Sequence, residues 1–337
     1  MAFAAPWTIS VTLLQQCSEP RFGPLSPRDI NVIRPLFKEV FGHEVSPAML
    51  SWKYGEGRGT CWIGRDQEGE LLIHCGIFHR RVLVGGRSQR IAQLVDLMAS
   101  PQMHGGLSRK KSPFYLLIAP LLATIVTADN PGAWAFGFPS NRAMRLGEHL
   151  GVFRTIDRMH ELTFAPLPLR YPRYNFVKLL DFSGNNGQIL RRLWGEMAND
   201  LRGGVVGVRD PEYLHQRYLN HPEKQYEIYL VQSSWLRYPL GAFIIHRDGE
   251  NIELMDIIAP LRQVPRMVLA ARGWMYNNNG QQLRLWLAST HVDLLADQAI
   301  SSAPLEFRIM ANPSTPHEEL QRFDQCWWLT SGDTDYR

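Results

Sequence analysis

Cysteine is scarce in this chain: Cys17, Cys61, Cys75 and Cys326 are spread over 337 residues at irregular spacing. That is too few and too scattered for a disulfide framework and points to reduced thiols in a reducing compartment. Charge of one sign is missing too. Thirty-six Lys and Arg stand against 32 Asp and Glu, and a formal charge of +4 implies neither nucleic acid nor membrane as a partner, leaving room only for a local basic patch. The longest apolar run, Leu116 to Ala128, falls short of the ~18 residues that span a bilayer and is interrupted by Pro120. The opening MAFAAPWTISVTLLQQC has no Lys or Arg before its apolar part and no small-residue cleavage site, so a cytoplasmic protein is expected. A G-x-S-x-G elbow and a G-x-x-x-x-G-K-S/T loop are both absent, which removes the usual signatures of serine hydrolases and P-loop nucleotidases.

What is present is the composition of a globular protein, 45% hydrophobic and 20% charged, on a chain long enough for two cores. Two stretches repeat one order of features. Met49-Leu50-Ser51-Trp52-Lys53-Tyr54 precedes two strand-like runs and Leu94-Val95-Asp96-Leu97-Met98-Ala99, and Tyr213-Leu214-His215-Gln216-Arg217-Tyr218 precedes two more and Leu254-Met255-Asp256-Ile257-Ile258-Ala259. Tyr54 and Asp96 are 42 residues apart, Tyr218 and Asp256 38. A duplicated α/β unit is expected: one domain over 1–165, a Pro- and Arg-rich linker over 166–175, and a degenerate second copy over 176–337 with a docked aromatic tail.

Within the first copy, Ile33 to Phe41 reads as a helix closed by Gly42, and Leu71 to Val84 and Ile91 to Met98 as long strands. Ser112 is placed to cap a helix with Pro113 at its first position. Ala133 to Phe138 is a further strand, Asn141 to Leu150 a helix and Phe153 to Phe164 a strand, giving a mixed α/β order. Between Ser100 and Ser112, Gly105, Gly106, Arg109, Lys110 and Lys111 lead from strand to helix, where open backbone N–H groups and cations suit a phosphate or diphosphate. Cys61, His74, Cys75 and His79 are zinc-ligand types, but adjacent His74 and Cys75 point to opposite strand faces, so no metal is expected.

The segments LVDLMASP, RKKSPF and AFGFPSNRAMRLGEHLG resemble the GNAT superfamily of acyl-CoA-dependent acyltransferases, most clearly over residues 30–160. The resemblance implies two GNAT-like units, each a mostly antiparallel, splayed sheet flanked by helices. It also implies acetyl-CoA as substrate, with the diphosphate on Arg109, Lys110, Lys111, Ser112 and Phe114. The superfamily's Q/R-x-x-G-x-G/A loop fits imperfectly in two registers, Gln102 to Leu107 and Arg109 to Phe114. By the same resemblance a bulged fourth strand holds the pantetheine near Leu97, Met98 and Ala99, and Asn141 opens the helix after the fifth strand and contacts the donor. Asp96 is the expected base, with His74, His79 and His104 behind it. Tyr115 and the Arg337 carboxylate, or Asp335, complete the catalytic candidates. The implied reaction is acetyl transfer to a small-molecule amine such as an amino sugar, by a monomer or homodimer. The alternatives are a silent scaffold that binds CoA or a protein, and an aminoacyl transferase using charged transfer RNA. The second copy has no glycine in the matching loop and is expected not to bind CoA.

Overall fold

The computed structural model describes residues 21–101, 112–125, 134–168, 174–312 and 324–334. The first half runs β1 (Arg21–Leu25), α1 (Arg34–Phe41), α2 (Pro47–Tyr54), β2 (Gly59–Arg65), β3 (Leu71–Val84), β4 (Arg87–Ala99), α3 (Pro113–Ile125), β5 (Ala135–Gly137), α4 (Asn141–His149) and β6 (Arg154–Phe164). Helix starts follow local chemistry. Ser46, Ser112 and Ser140 each accept the backbone N–H three residues on, and Pro47 and Pro113 occupy first positions where no N–H is needed.

The second half runs β7 (Tyr174–Leu179), α5 (Gly184–Asp200), β8 (Val205–Gly207), α6 (Pro211–Leu214), β9 (Tyr226–Ser233), β10 (Pro239–Asp248), β11 (Asn251–Ile258), α7 (Val264–Asn277), β12 (Gln282–Ala288), β13 (Ser301–Ala311) and β14 (Trp327–Trp328). The turn after α6 continues as a π-helix through His215–Leu219. Part of the expected linker, 169–173, lies outside the described residues. Its start is held on α7, where Arg272 Nε donates to the Ala165 carbonyl at 2.9 Å, and its end belongs to β7.

All the described strands form one mostly antiparallel sheet, flanked by helices, whose main path is β1-β2-β3-β4-β5-β13-β6-β12-β11-β10-β9-β7. The halves exchange strands at its centre. β13, from the second half, lies antiparallel between β5 and β6 of the first, while β6 pairs antiparallel with β12 of the second. β8 adds a further bridge, pairing β3 on one side and β14 on the other. No helix among the described residues is long and apolar enough to cross a membrane.

The segment ending the described chain is built into the interior. Trp327 packs on Phe136 of the first half at 5.3 Å between ring centroids, and Trp328 is buried in the core of the second. Beside them Arg209, wholly buried, donates to Asp256 at 2.9 Å and to Asp333 at 2.6 Å, and Arg80 from β3 reaches Asp333 at 3.0 Å. Removing one member of such a buried cluster strands its partners' charges. Arg209→Met is therefore expected to lower the unfolding free energy in urea by about 3–5 kcal/mol. A fragment ending at residue 165 lacks β13 between β5 and β6, and circular dichroism and amide exchange on it are expected to show no stable sheet.

Candidate functional site

The pairing of β3 with β4 slips at one point: Gly76 faces Val95 and His74 faces Met98, so Cys75 stands opposite both Asp96 and Leu97. Asp96 has φ of +46°, a left-handed conformation that Asp tolerates better than most side chains. Its carboxylate, 5% exposed, accepts the Tyr54 hydroxyl at 2.5 Å and the Lys53 ammonium at 2.7 Å, both from the last turn of α2. His74 Nδ1–H donates to the Asp96 carbonyl at 2.8 Å. A Cβ at residue 76 would overlap the Tyr54 hydroxyl, so glycine is required there. The bulge is thus locked from the side of the helix.

The second half repeats the arrangement. β11 slips against β10 between Ile244 and Ile245, and Tyr218 donates to Asp256 at 3.2 Å. The sequence repeat therefore marks one physical device, a tyrosine at a helix end holding an aspartate at a strand bulge. In this copy the guanidinium comes from Arg209 rather than from the position matching Lys53.

The bulge opens the sheet. β4 and β5 run parallel and pair only from Ala92 to Leu94 with Ala135 to Gly137. Past Leu94 the β4 edge has no strand partner on that side among the described residues, and a cavity of about 540 Å³ fills the gap. Its walls come from α1, the start of α2, β4 from Leu94 to Leu97, and Phe138 to Ala143 at the start of α4. The matching opening between β11 and β12, which pair only from Asn251–Leu254 with Gln282–Leu285, is filled by the chain itself. Ala288 N–H donates to Leu329 and Trp286 N–H to Ser331 Oγ, while Thr330 bridges to Leu287 and reaches Asp256 at 3.2 Å. One cleft is open and its counterpart is closed.

A second cavity, about 240 Å³, lies where the halves meet. Trp52, Phe78 and Tyr213 give it aromatic walls, and Arg58, Arg80 and Arg217 line it with Asp333. Lys53 borders both cavities.

These positions sort the residues singled out from the sequence. Asp96 and Leu97 line the larger cavity. Met98 is 1% exposed in the core under α1, and Ala99 is exposed at the strand end. Ser112 caps α3; Phe114 is buried edge-on against Phe153 at 5.6 Å. Tyr115 packs against the core cluster of α3, on the opposite sheet face from the Asp96 carboxylate, and borders neither cavity. That packing does not bring it to the cleft, where it was expected to donate a proton. Asn141 is exposed at the first position of α4, beside the cavity residue Ser140. His79 borders the smaller cavity. Arg109, Lys110, Lys111, His104, Asp335 and Arg337 lie outside the described residues.

His221 was not among them. It reaches the larger cavity from the second half, and its ring lies 4.7 Å from that of Trp52, tilted by 56°. Its Nδ1 accepts the Lys224 N–H at 2.9 Å, and burial together with Arg217 and Lys224 pulls its pKa down to about 3. The imidazole is neutral with its proton on Nε2, so it offers the cavity an N–H donor rather than a base. The sequence signal, His-Pro just after the Arg217-Tyr218 pair of the second copy, sits in the half from which no donor chemistry was expected.

Burial by itself would raise the Asp96 pKa, but the Lys53 ammonium and the Tyr54 hydroxyl outweigh it and hold the carboxyl below its usual range. With both oxygens engaged and its charge stabilised, Asp96 is a weak proton acceptor and a strong anchor. Its contribution to stability is present above the ~3.9 of an unfolded aspartate and is lost as pH falls through the folded-state value. Asp96→Asn is expected to flatten that acid limb in denaturation curves. Tyr54→Phe, which removes one hydrogen bond to a buried charge, is expected to cost about 1.5–3 kcal/mol at neutral pH.

No protein-family model and no curated protein matches the sequence. Solved structures do match over most of the chain. A probable N-acyltransferase of unknown function from Enterococcus faecalis is 15% identical, with TM-score 0.66 over 90% of this chain and 74% of its own. A GCN5-related N-acetyltransferase from Kribbella flavida is 14% identical, with TM-score 0.61 over 87% and 70%. The Saccharomyces cerevisiae N-myristoyltransferase with bound myristoyl-CoA is 10% identical, with TM-score 0.54 over 89% and 83%. With its bulged β4, the parting of β4 from β5 and the order of its flanking helices, this protein has the fold of the GCN5-related N-acetyltransferases.

Proposed function

We propose that the protein is an acyl-CoA-dependent N-acyltransferase, one donor binding per chain in the opening between β4 and β5. The observation that carries the reading is the open cleft of the first half: a bulge and a parting of strands occur in both halves, and among the described residues the second opening is filled by Leu329 to Ser331. The β4 edge beyond Leu94 offers backbone groups to the amides of a pantetheine arm, as an unpaired strand edge does for an extended ligand. The sequence places Arg109, Lys110 and Lys111 just before the Ser112-capped start of α3, where N–H groups and cations would meet the diphosphate. The acceptor is a small amine entering from the smaller cavity, of which amino sugars are one class.

The amine nitrogen attacks the thioester carbonyl, the C–N bond forms as the C–S bond breaks, and CoA leaves as the thiol after taking up the proton lost by nitrogen. Holding the two reactants together accounts for most of the acceleration, and a β4 backbone N–H aimed at the carbonyl oxygen stabilises the charge that develops there. No protein base is needed to balance the step. Lys53, held by Asp96, adds positive charge at the junction of the cavities.

Titration calorimetry is expected to show one acyl-CoA per chain; two equivalent sites, or none, would overturn the reading. Replacing Arg109, Lys110 and Lys111 together by Ala is expected to weaken CoA by roughly tenfold or more for each lost charged contact, with pantetheine unaffected. Thiol release across a panel of amines separates an enzyme from a scaffold, which would bind the donor without turnover.

A further inference from the structure

The donor cavity, about 540 Å³, has to take the pantetheine arm as well as the acyl group, and much of its lining is apolar. The cavity has two parts. Along the β4 edge and the start of α4 it offers backbone and Ser140, which suits the polar pantetheine. Beyond the bulge it is roofed by α1 and the start of α2, and there Phe37, Val40, Phe41, Val45 and Met49 form the wall.

That roof is anchored rather than loose. Phe37 and Val45 are buried in the core under α1, Met49 and Val40 pack on the same cluster, and the Phe41 ring lies 4.7 Å from that of Phe37. Phe41 is nevertheless 43% exposed. The polar residues His43 and Glu44 stand at the rim. Of that wall Phe41 faces water most, with Val40 and Met49 half-buried, and exposed apolar area is unfavourable in proportion to its size; the same cavity is lined by Asp96 and Leu97, beside which the thioester would sit.

Resting on the donor-site reading above, we propose that the natural donor carries an aliphatic acyl chain longer than acetyl, and that the chain lies under the α1–α2 roof. The roof selects the chain and the β4 edge selects CoA. Continuity with the donor cleft distinguishes this occupant from an apolar acceptor, which would come from the smaller cavity across Lys53.

Calorimetry with acetyl-, butyryl-, hexanoyl- and octanoyl-CoA in the absence of acceptor tests this. Each methylene that enters the pocket is expected to tighten binding about fourfold, the ~0.8 kcal/mol of burying a CH₂ converted at ~1.4 kcal/mol per tenfold. Butyryl-CoA should bind about fifteenfold tighter than acetyl-CoA by the same constants. Met49→Trp and, independently, Val40→Trp fill the roof and should abolish the dependence on chain length; either variant serves if the other fails to fold. Equal affinity for all four donors overturns the pocket while leaving the CoA site standing, as does tighter binding of apolar amines in place of longer donors. Failure to bind any of the four overturns both.

Discussion

A carboxylate held at the bend of a strand governs the first half of this protein. Asp96 sits at the slip between β3 and β4 with a left-handed backbone, and that conformation persists because Lys53 and Tyr54 of α2 grip both of its oxygens. The slip lies just beyond Leu94, where β5 ends and parts from β4, so the contact between the end of α2 and the bent strand sits at the mouth of the cavity. The strength of that contact depends on burial, because an exposed ion pair of the same geometry would contribute little.

The second half uses the same contact to the opposite end. Tyr218 and Asp256 hold β11 as Tyr54 and Asp96 hold β4, yet the opening receives Leu329 to Asp333, and Arg209 is buried between Asp256 and Asp333. The strand exchange at the centre of the sheet ties the two outcomes together: β13 supports β5 beside the open cleft, and β6 supports β12 beside the filled one. Each half thus depends on the other for the neighbour of a cleft strand. On the proposed reading the first half takes the donor and the second borders the acceptor side, where Tyr213 and Arg217 line the smaller cavity with Lys53 and Trp52 and His221 packs on Trp52.

Much of the framework was legible in the chain. Period-two and helical patterns, the serine cap at 112 and the glycines at 42 and 151 placed α1, α3, α4 and the strands from β3 to β6 within a few residues, because these signals act locally, while β1 and α2 went unassigned. Lys53 went unremarked as a site residue because an isolated lysine carries no pattern; the repeat that held it was visible, but its chemistry needed α2 to be laid over β4. Where Tyr115 packs was not legible either, since position in a sequence does not say which neighbours a helix lays against it. His221 lay beyond reach, being 125 residues from Asp96 along the chain.

The sequence by itself determined the class of fold and the ordered repeat of Tyr54 and Asp96 in Tyr218 and Asp256, since local propensity and pattern are properties of short segments. Only the tertiary structure decided which half keeps an open cleft among its described residues, which strands cross to the other half, and which groups hold the Asp96 carboxylate. Those outcomes depend on desolvation and on contacts between residues distant in the chain, and neither quantity exists until the chain has folded.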